Sequence, residues 1–149
     1  MYKRQGYAAC DIEIWDEQHL QCVGFAVSSE QAYVFTEQAF HPAFRLLRDP
    51  KLKLLFHNGQ FDTYFLRTRN NVEVKGFVDD TIVRFHCCWP ELAGKGEAKS
   101  KRTQKSLRFL ASLYTMDEYW KDYEVDEAGM YYLNGLDCMI TYDLSLIHI

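Results

Sequence analysis

Residues 7–15, YAACDIEIW, alternate as a strand does. Ile12 and Ile14 fall on one face; Asp11, Glu13 and Trp15 fall on the other. LQCVGFAVS at 20–28 and AYVFT at 32–36 follow after short polar segments, so the first three runs predict an antiparallel meander. Pro42 opens a helix over 41–50 with Phe44 and Leu47 turned inward, and Pro50 ends it. LKLLF at 52–56 predicts a buried fourth strand. Asn58-Gly59 then turns the chain into a helix near 60–69, whose apolar positions are Phe61, Phe65 and Leu66. Residues 79–89 predict a helix stopping before Pro90. Residues 106–115 predict an amphipathic helix with Leu107, Leu110 and Tyr114 on one face and Ser106 as its cap. The stretch 116–130 reads as acidic and irregular, and a last helix is expected from near Leu133. This order predicts an α/β or α+β sheet with helices on both faces.

With 149 residues, 48% hydrophobic and 15% aromatic, the chain suits one domain with a real core and excludes wholesale disorder. No apolar run approaches the roughly 18–20 residues of a membrane span, so no membrane partner is expected. Lys3 and Arg4 are followed by no apolar run, which gives no secretory leader and favours a cytoplasmic setting. The five cysteines are odd in number and form no C-x-x-C pair, against a disulfide scaffold or a zinc ribbon. His86-Cys87-Cys88 reads as a buried helix segment rather than a ligand set, because adjacent side chains rarely point at one ion. A net charge of -4 disfavours a generic polyanion binder but leaves room for carboxylates that hold cations.

The two ends differ in character. Met1-Tyr2-Lys3-Arg4-Gln5 is the translation of GTG TAT AAG AGA CAG with GTG as the start codon. Leu144-Ser145-Leu146-Ile147-His148-Ile149 is that of CTG TCT CTT ATA CAC ATC. These strings are reverse complements over most of their length, as transposase adapters are. We therefore expect 1–5 and 144–149 to be adapter-derived, 6–143 to be the domain proper, and the natural chain to continue past 143.

Four carboxylates carry the candidate chemistry. Asp11 and Glu13 share a strand face, where two like charges are costly to bury unless a hard cation such as Mg²⁺ offsets them. An exposed acidic strand face is the alternative, and the apolar flank Ala8, Ala9, Ile12, Ile14 speaks against it. Asp62 begins a helix just after a strand, at the strand end where ligands bind in open α/β sheets, although a first-turn acid also suits the helix dipole. Asp137 borders the apolar stripe Leu133, Leu136, Ile140, with the same alternative.

In order and spacing these pieces resemble the DEDD 3′–5′ exonucleases, a ribonuclease-H-like family. Asp11-Ile12-Glu13 matches the first motif, Asn58-Gly59-Gln60-Phe61-Asp62 matches N-x-x-x-F-D, and Asp137 supplies the last acid. Asp79-Asp80-Thr81 resembles a helix opening in the proofreading domains of family A DNA polymerases. Trp89-Pro90-Glu91-Leu92, Lys105–Tyr114 and Tyr119-Trp120-Lys121-Asp122 look like phage-type members of that group. The resemblance implies a mixed sheet, its first three strands antiparallel and a further strand parallel, flanked by helices. It implies two Mg²⁺ or Mn²⁺ ions on Asp11, Glu13, Asp62 and Asp137. Asp11 would bridge both ions, and Glu13 and Asp137 would hold the one that carries the attacking water. The implied partner is the 3′ end of single-stranded DNA, and the implied context is a chain continuous with a polymerase domain.

One position departs from the family. Its tyrosine subgroup has Tyr four residues before the last Asp; here that residue is Leu133, and Tyr132 lies five before. Tyr132 is accordingly the candidate for orienting the water. Trp15 and Phe61 are candidates for contact with terminal bases, and Asn58 for contact with the terminal nucleotide or for the turn alone. The run Lys95–Arg108 holds six basic residues and one acid, which fits a solvated loop or a strip that steers DNA. A catalytically inactive DNA-binding domain and a free-standing RNA exonuclease are the competing expectations.

Overall fold

The computed structural model describes residues 6–90, 105–115 and 126–146. Strands β1 (Tyr7–Ile14), β2 (Leu20–Ser28) and β3 (Gln31–Thr36) form the expected meander. A 3₁₀ turn at Glu37–Ala39 leads into helix α1 (Phe40–Leu47). Strand β4 (Lys53–Phe56), helix α2 (Gly59–Arg69), strand β5 (Phe77–Asp80) and helix α3 (Thr81–Cys88) follow, then α4 (Leu107–Tyr114) and α5 (Glu127–Leu146). The sheet order is β3-β2-β1-β4-β5, with β4 parallel to both β1 and β5. Strand order therefore reverses between β1 and β4, and the crevice beyond their C-terminal ends is where an open sheet of this kind receives ligands.

Alternation along β1 sends its side chains into two cores. Ala8, Cys10 and Ile12 join Val23, Phe25, Leu54 and Phe56 beneath Leu47 of α1 and Phe65 and Leu66 of α2. On the opposite face Ala9, Ala26 and Leu55 meet Cys138 and Tyr142 of α5. Ala9 and Ala26 are small, and Gly24 lies two residues from Ala26 on the same face, in the α5 footprint. A Cβ at Gly24 would overlap Asn134 Oδ1 and Cys138 Sγ, so glycine is what lets α5 settle onto the sheet. A third cluster, with Phe85, Leu110, Ile140 and Leu144, joins α3 and α4 to α5. Leu144, the first residue of the segment read as adapter-derived, lies in that packing.

Three expectations are corrected. Residues 79–80 end strand β5 instead of starting a helix, because Phe77–Asp80 pairs in parallel with β4. The last helix starts at Glu127, not near Leu133: Asp126 Oδ1 accepts the Gly129 N–H at 2.9 Å and caps it. Cys87 and Cys88 are exposed on the last turn of α3 rather than buried. Most of the basic loop and Tyr119–Asp122 lie outside the described residues.

Candidate active site

Strand β1 is paired on both sides only as far as Ala9, which faces Leu55 of β4. Beyond it, Asp11, Ile12 and Glu13 keep β2 as their partner, opposite Gly24, Val23 and Cys22. The chain leaves β4 at Asn58, which adopts a left-handed conformation (φ 66°) and throws α2 back across the sheet. An N–H of β1 is thus left without a strand partner, and Asp62 takes it: Asp62 Oδ1 accepts from Ile12 N at 3.1 Å. Asp62 is 4% exposed. Burial pushes its carboxyl up to about 7, with the charges of Asp80 and Glu13 adding to the rise and the Ile12 N–H opposing it.

Asp11 and Glu13 project toward α5, where Asp137 is buried one turn after Asn134. One carboxylate oxygen from each of Asp11, Glu13 and Asp137 lies within 4.8 Å of the others. Asn134 has no exposed surface and donates from Nδ2 to Asp11 Oδ2 at 2.9 Å. The thiols around this cluster are held neutral. Burial pushes Cys22 up to about 12, helped by Glu13, and burial also raises Cys138 well above the ordinary thiol range, helped by Asp11. A concentrated set of anionic oxygens beside protonated thiols suits a hard divalent ion, Mg²⁺ or Mn²⁺, better than a soft one.

A second carboxylate builds the other wall. Asp80 accepts from Gly59 N at 2.8 Å, Asn58 N at 3.1 Å and Ile82 N at 2.9 Å. It therefore caps α3 and pins the first turn of α2, from which Asp62 projects. Thr81 Oγ1 is hydrogen-bonded to His57 Nδ1 at 2.8 Å, tying the same corner.

Of the residues singled out in the sequence, Asp11, Glu13 and Asp137 converge, and Asp62 grips the backbone between the first two. Asn58 makes the turn. Phe61, beside Asp62, and Trp15, just past β1, are both exposed. Tyr132 is 67% exposed, and at 100° per residue it lies about 140° around α5 from Asp137, whereas Leu133 lies about 40° away. Two contributors were not picked out from the sequence. Asn134 was legible as a polar residue three before Asp137 on one helix face. Asp80 stood in a recognised segment, but its partners at 58–59 carry no local signal.

No family model and no curated protein matches the sequence. Solved structures do. A nuclease in its apo form superposes with a TM-score of 0.65 at 18% identity, over 95% of this chain and 70% of that one. Brucella melitensis NrnC with bound Mg²⁺ gives 0.62 at 15% identity, over 97% and 72%. Escherichia coli RNase D, an exoribonuclease involved in structured RNA processing, gives 0.56 at 14% identity, over 95% of this chain and 37% of its own. The fold is ribonuclease-H-like. In this ribonuclease-H-like sheet the central strand carries Asp11 and Glu13, and α5 lays Asp137 across them. No helix among the described residues is long and apolar enough to cross a membrane.

Proposed function

We propose that the chain is a metal-dependent 3′–5′ exonuclease acting on single-stranded DNA, releasing 5′ mononucleotides, as the proofreading domain of a DNA polymerase. The observation that carries the hydrolase assignment is the convergence of Asp11, Glu13 and Asp137 at the open end of the sheet, with Asp62 buried against Ile12. The polymerase context rests on the motif resemblance alone.

Asp11, Glu13 and Asp137 would hold the metal, and Asp62 would complete the set from the other side of β1. Bound there, Mg²⁺ or Mn²⁺ supplies a lowered pKa for water and neutralises charge on the leaving 3′ oxygen. The rest falls to the chain's own groups. Asn134 holds Asp11 through Oδ2 and so keeps its carboxylate beside Glu13 and Asp137. Asp80 holds the first turn of α2 and with it the position of Asp62. Phe61 and Trp15 offer exposed rings on which terminal bases stack, orienting the scissile phosphate. Two Asp or Glu residues side by side on a strand face are hard to retain without a cation, which argues against an inactive binding module.

A free-standing RNA exonuclease is the second reading. It is favoured by the similarity to RNase D and to Brucella melitensis NrnC bound to pGG, the latter superposing with a TM-score of 0.62 at 17% identity. The test is nucleotide release from 3′-labelled single-stranded DNA and RNA of one sequence, with Mg²⁺, Mn²⁺ or EDTA, beside Asp11→Ala. Stepwise metal-dependent shortening that Asp11→Ala abolishes is expected, and the faster polymer decides between the two readings. Wild-type rates in Asp11→Ala would overturn both.

A further inference from the structure

Helix α2 starts at the site and runs back along β4 for about 16 Å at 1.5 Å per residue. Its outer surface is not an ordinary solvated face. Phe61, Tyr64 and Thr68 recur at spacings of three and four, and both aromatic rings are exposed. Tyr64, Thr68 and Arg67 line a groove of about 440 Å³ with Phe77 of the edge strand β5. Arg67 also lines a second groove, of about 500 Å³, with Arg48, Lys75, Asn71 and Glu73. The two share Arg67 and Glu73, so they form one furrow on the outer side of α2, from Thr63 and Tyr64 one turn past the site toward the far end of the sheet.

The charge in this furrow runs against that of the chain. Three cations face one acid, Glu73, in a protein of net charge -4. Arg48 is anchored in the groove lining: its Nη2 donates to Asn71 O at 3.0 Å. Arg67 and Lys75 make no ion pair among the described residues. Aromatic rings near the site followed by cations farther out are the chemistry of a single-stranded nucleic acid, whose bases stack and whose phosphates need neutralising. An acidic peptide would use the cations but has no use for the exposed rings of Phe61 and Tyr64.

The geometry points to α2 as the track of the substrate's 5′ portion. With the 3′ terminus at Asp11, Glu13 and Asp137, the next bases lie on Phe61 and Tyr64, and phosphates farther upstream meet Arg67, Lys75 and Arg48. At a minimum of about 3.4 Å per nucleotide, the helix spans at most roughly five nucleotides. The track rests on the exonuclease reading, since that reading places the 3′ end.

Arg67→Gln/Lys75→Gln removes the two unpaired cations and leaves Arg48 with its structural bond. Binding of a dinucleotide and a ten-nucleotide single strand sharing a 3′ end is measured in EDTA across a salt series, with thermal melting to verify folding. Cleavage is followed separately with Mg²⁺. In the wild-type chain the ten-mer should bind tighter than the dinucleotide. In the variant that ratio should fall on the order of tenfold, and the slope of log K against log salt should lose about 1.4, or two phosphates at about 0.7 each. An unchanged ratio and slope in a folded variant would overturn the track while leaving the exonuclease reading intact. A wild-type chain that binds ten-mers in this manner yet cleaves nothing with metal would sink the nuclease, and with it the placement of the 3′ end, and would leave the furrow as a binding surface for single strands.

Discussion

The Asp62 carboxylate accepts the Ile12 N–H at 3.1 Å, so one candidate metal ligand also closes the hydrogen bond that β4 leaves open on β1. The carboxyl titrates at about 7, above its ordinary 3.8, because it is buried. Between those values the folded chain keeps a proton that the unfolded chain has shed, so stability is greatest below about pH 4 and declines as pH rises to about 7. In EDTA, Asp62→Asn should remove this decline while preserving the acceptor for Ile12. It should be more stable than wild type at pH 7.5 by about 4 kcal/mol, with the gap closing toward pH 4. Denaturant melts across that range check this; a gap that is constant with pH would refute it.

Metal should stabilise the folded chain through the same acids. At a hundredfold excess over Kd, Mg²⁺ or Mn²⁺ adds about 2.7 kcal/mol, seen as a rise in Tm. Asp137→Asn should lose that rise together with cleavage. Asn134→Ala, which only releases Asp11, should weaken metal binding by about 10–100-fold, as loss of an outer partner does. Calorimetric titration separates the two, and equal effects would contradict the assigned roles.

Gly24→Ala should cost about 1–3 kcal/mol, because the added methyl meets Asn134 and Cys138 in a packed layer. It should also reduce cleavage, since α5 must lift Asp137 away from β1. A variant with unaltered melting would show that α5 does not press on the sheet as described.

Asp80→Ala leaves three backbone N–H groups at 58, 59 and 82 without their acceptor. A loss of at least about 2 kcal/mol is expected, since unmade buried bonds cost about 1–3 kcal/mol each. Metal binding should weaken too, through the displaced start of α2. Amide exchange at Gly59 reads the local effect directly; unchanged protection there would refute the clamp.

Tyr132 points away from the acids and Leu133 points near them. Tyr132→Phe should therefore leave nucleotide release within about twofold, whereas Leu133→Tyr should raise it by about 10-fold or more by placing a phenol beside the attacking water. Loss of activity in Tyr132→Phe would restore Tyr132 as the orienting group.

Much of this architecture was legible in the pattern of residues. The two-residue alternation in β1 separated Ile12 from Asp11 and Glu13. Asn58-Gly59 announced the turn, and Ser106 the cap of α4, where its Oγ accepts from Phe109 N. Strand β5 was not legible. It is four residues long, with two acids at its end, and its strand character comes from pairing with β4 rather than from its own composition. The early start of α5 was hidden for a related reason: Gly129 and two tyrosines are weak helix formers, and the Asp126 cap and contacts with the sheet outweigh them.

By itself the sequence determined the faces and the turns, because those follow from local periodicity and residue chemistry, while its motif resemblance singled out the candidate acids. Only the tertiary structure decided who meets whom. Asp62 and Ile12 are 50 positions apart, and Asn134 and Asp11 are 123 apart. Such contacts depend on which strand stops short, where a glycine lets a helix approach, and which backbone N–H is left over. Those are properties of packed elements, and no local stretch of residues encodes them.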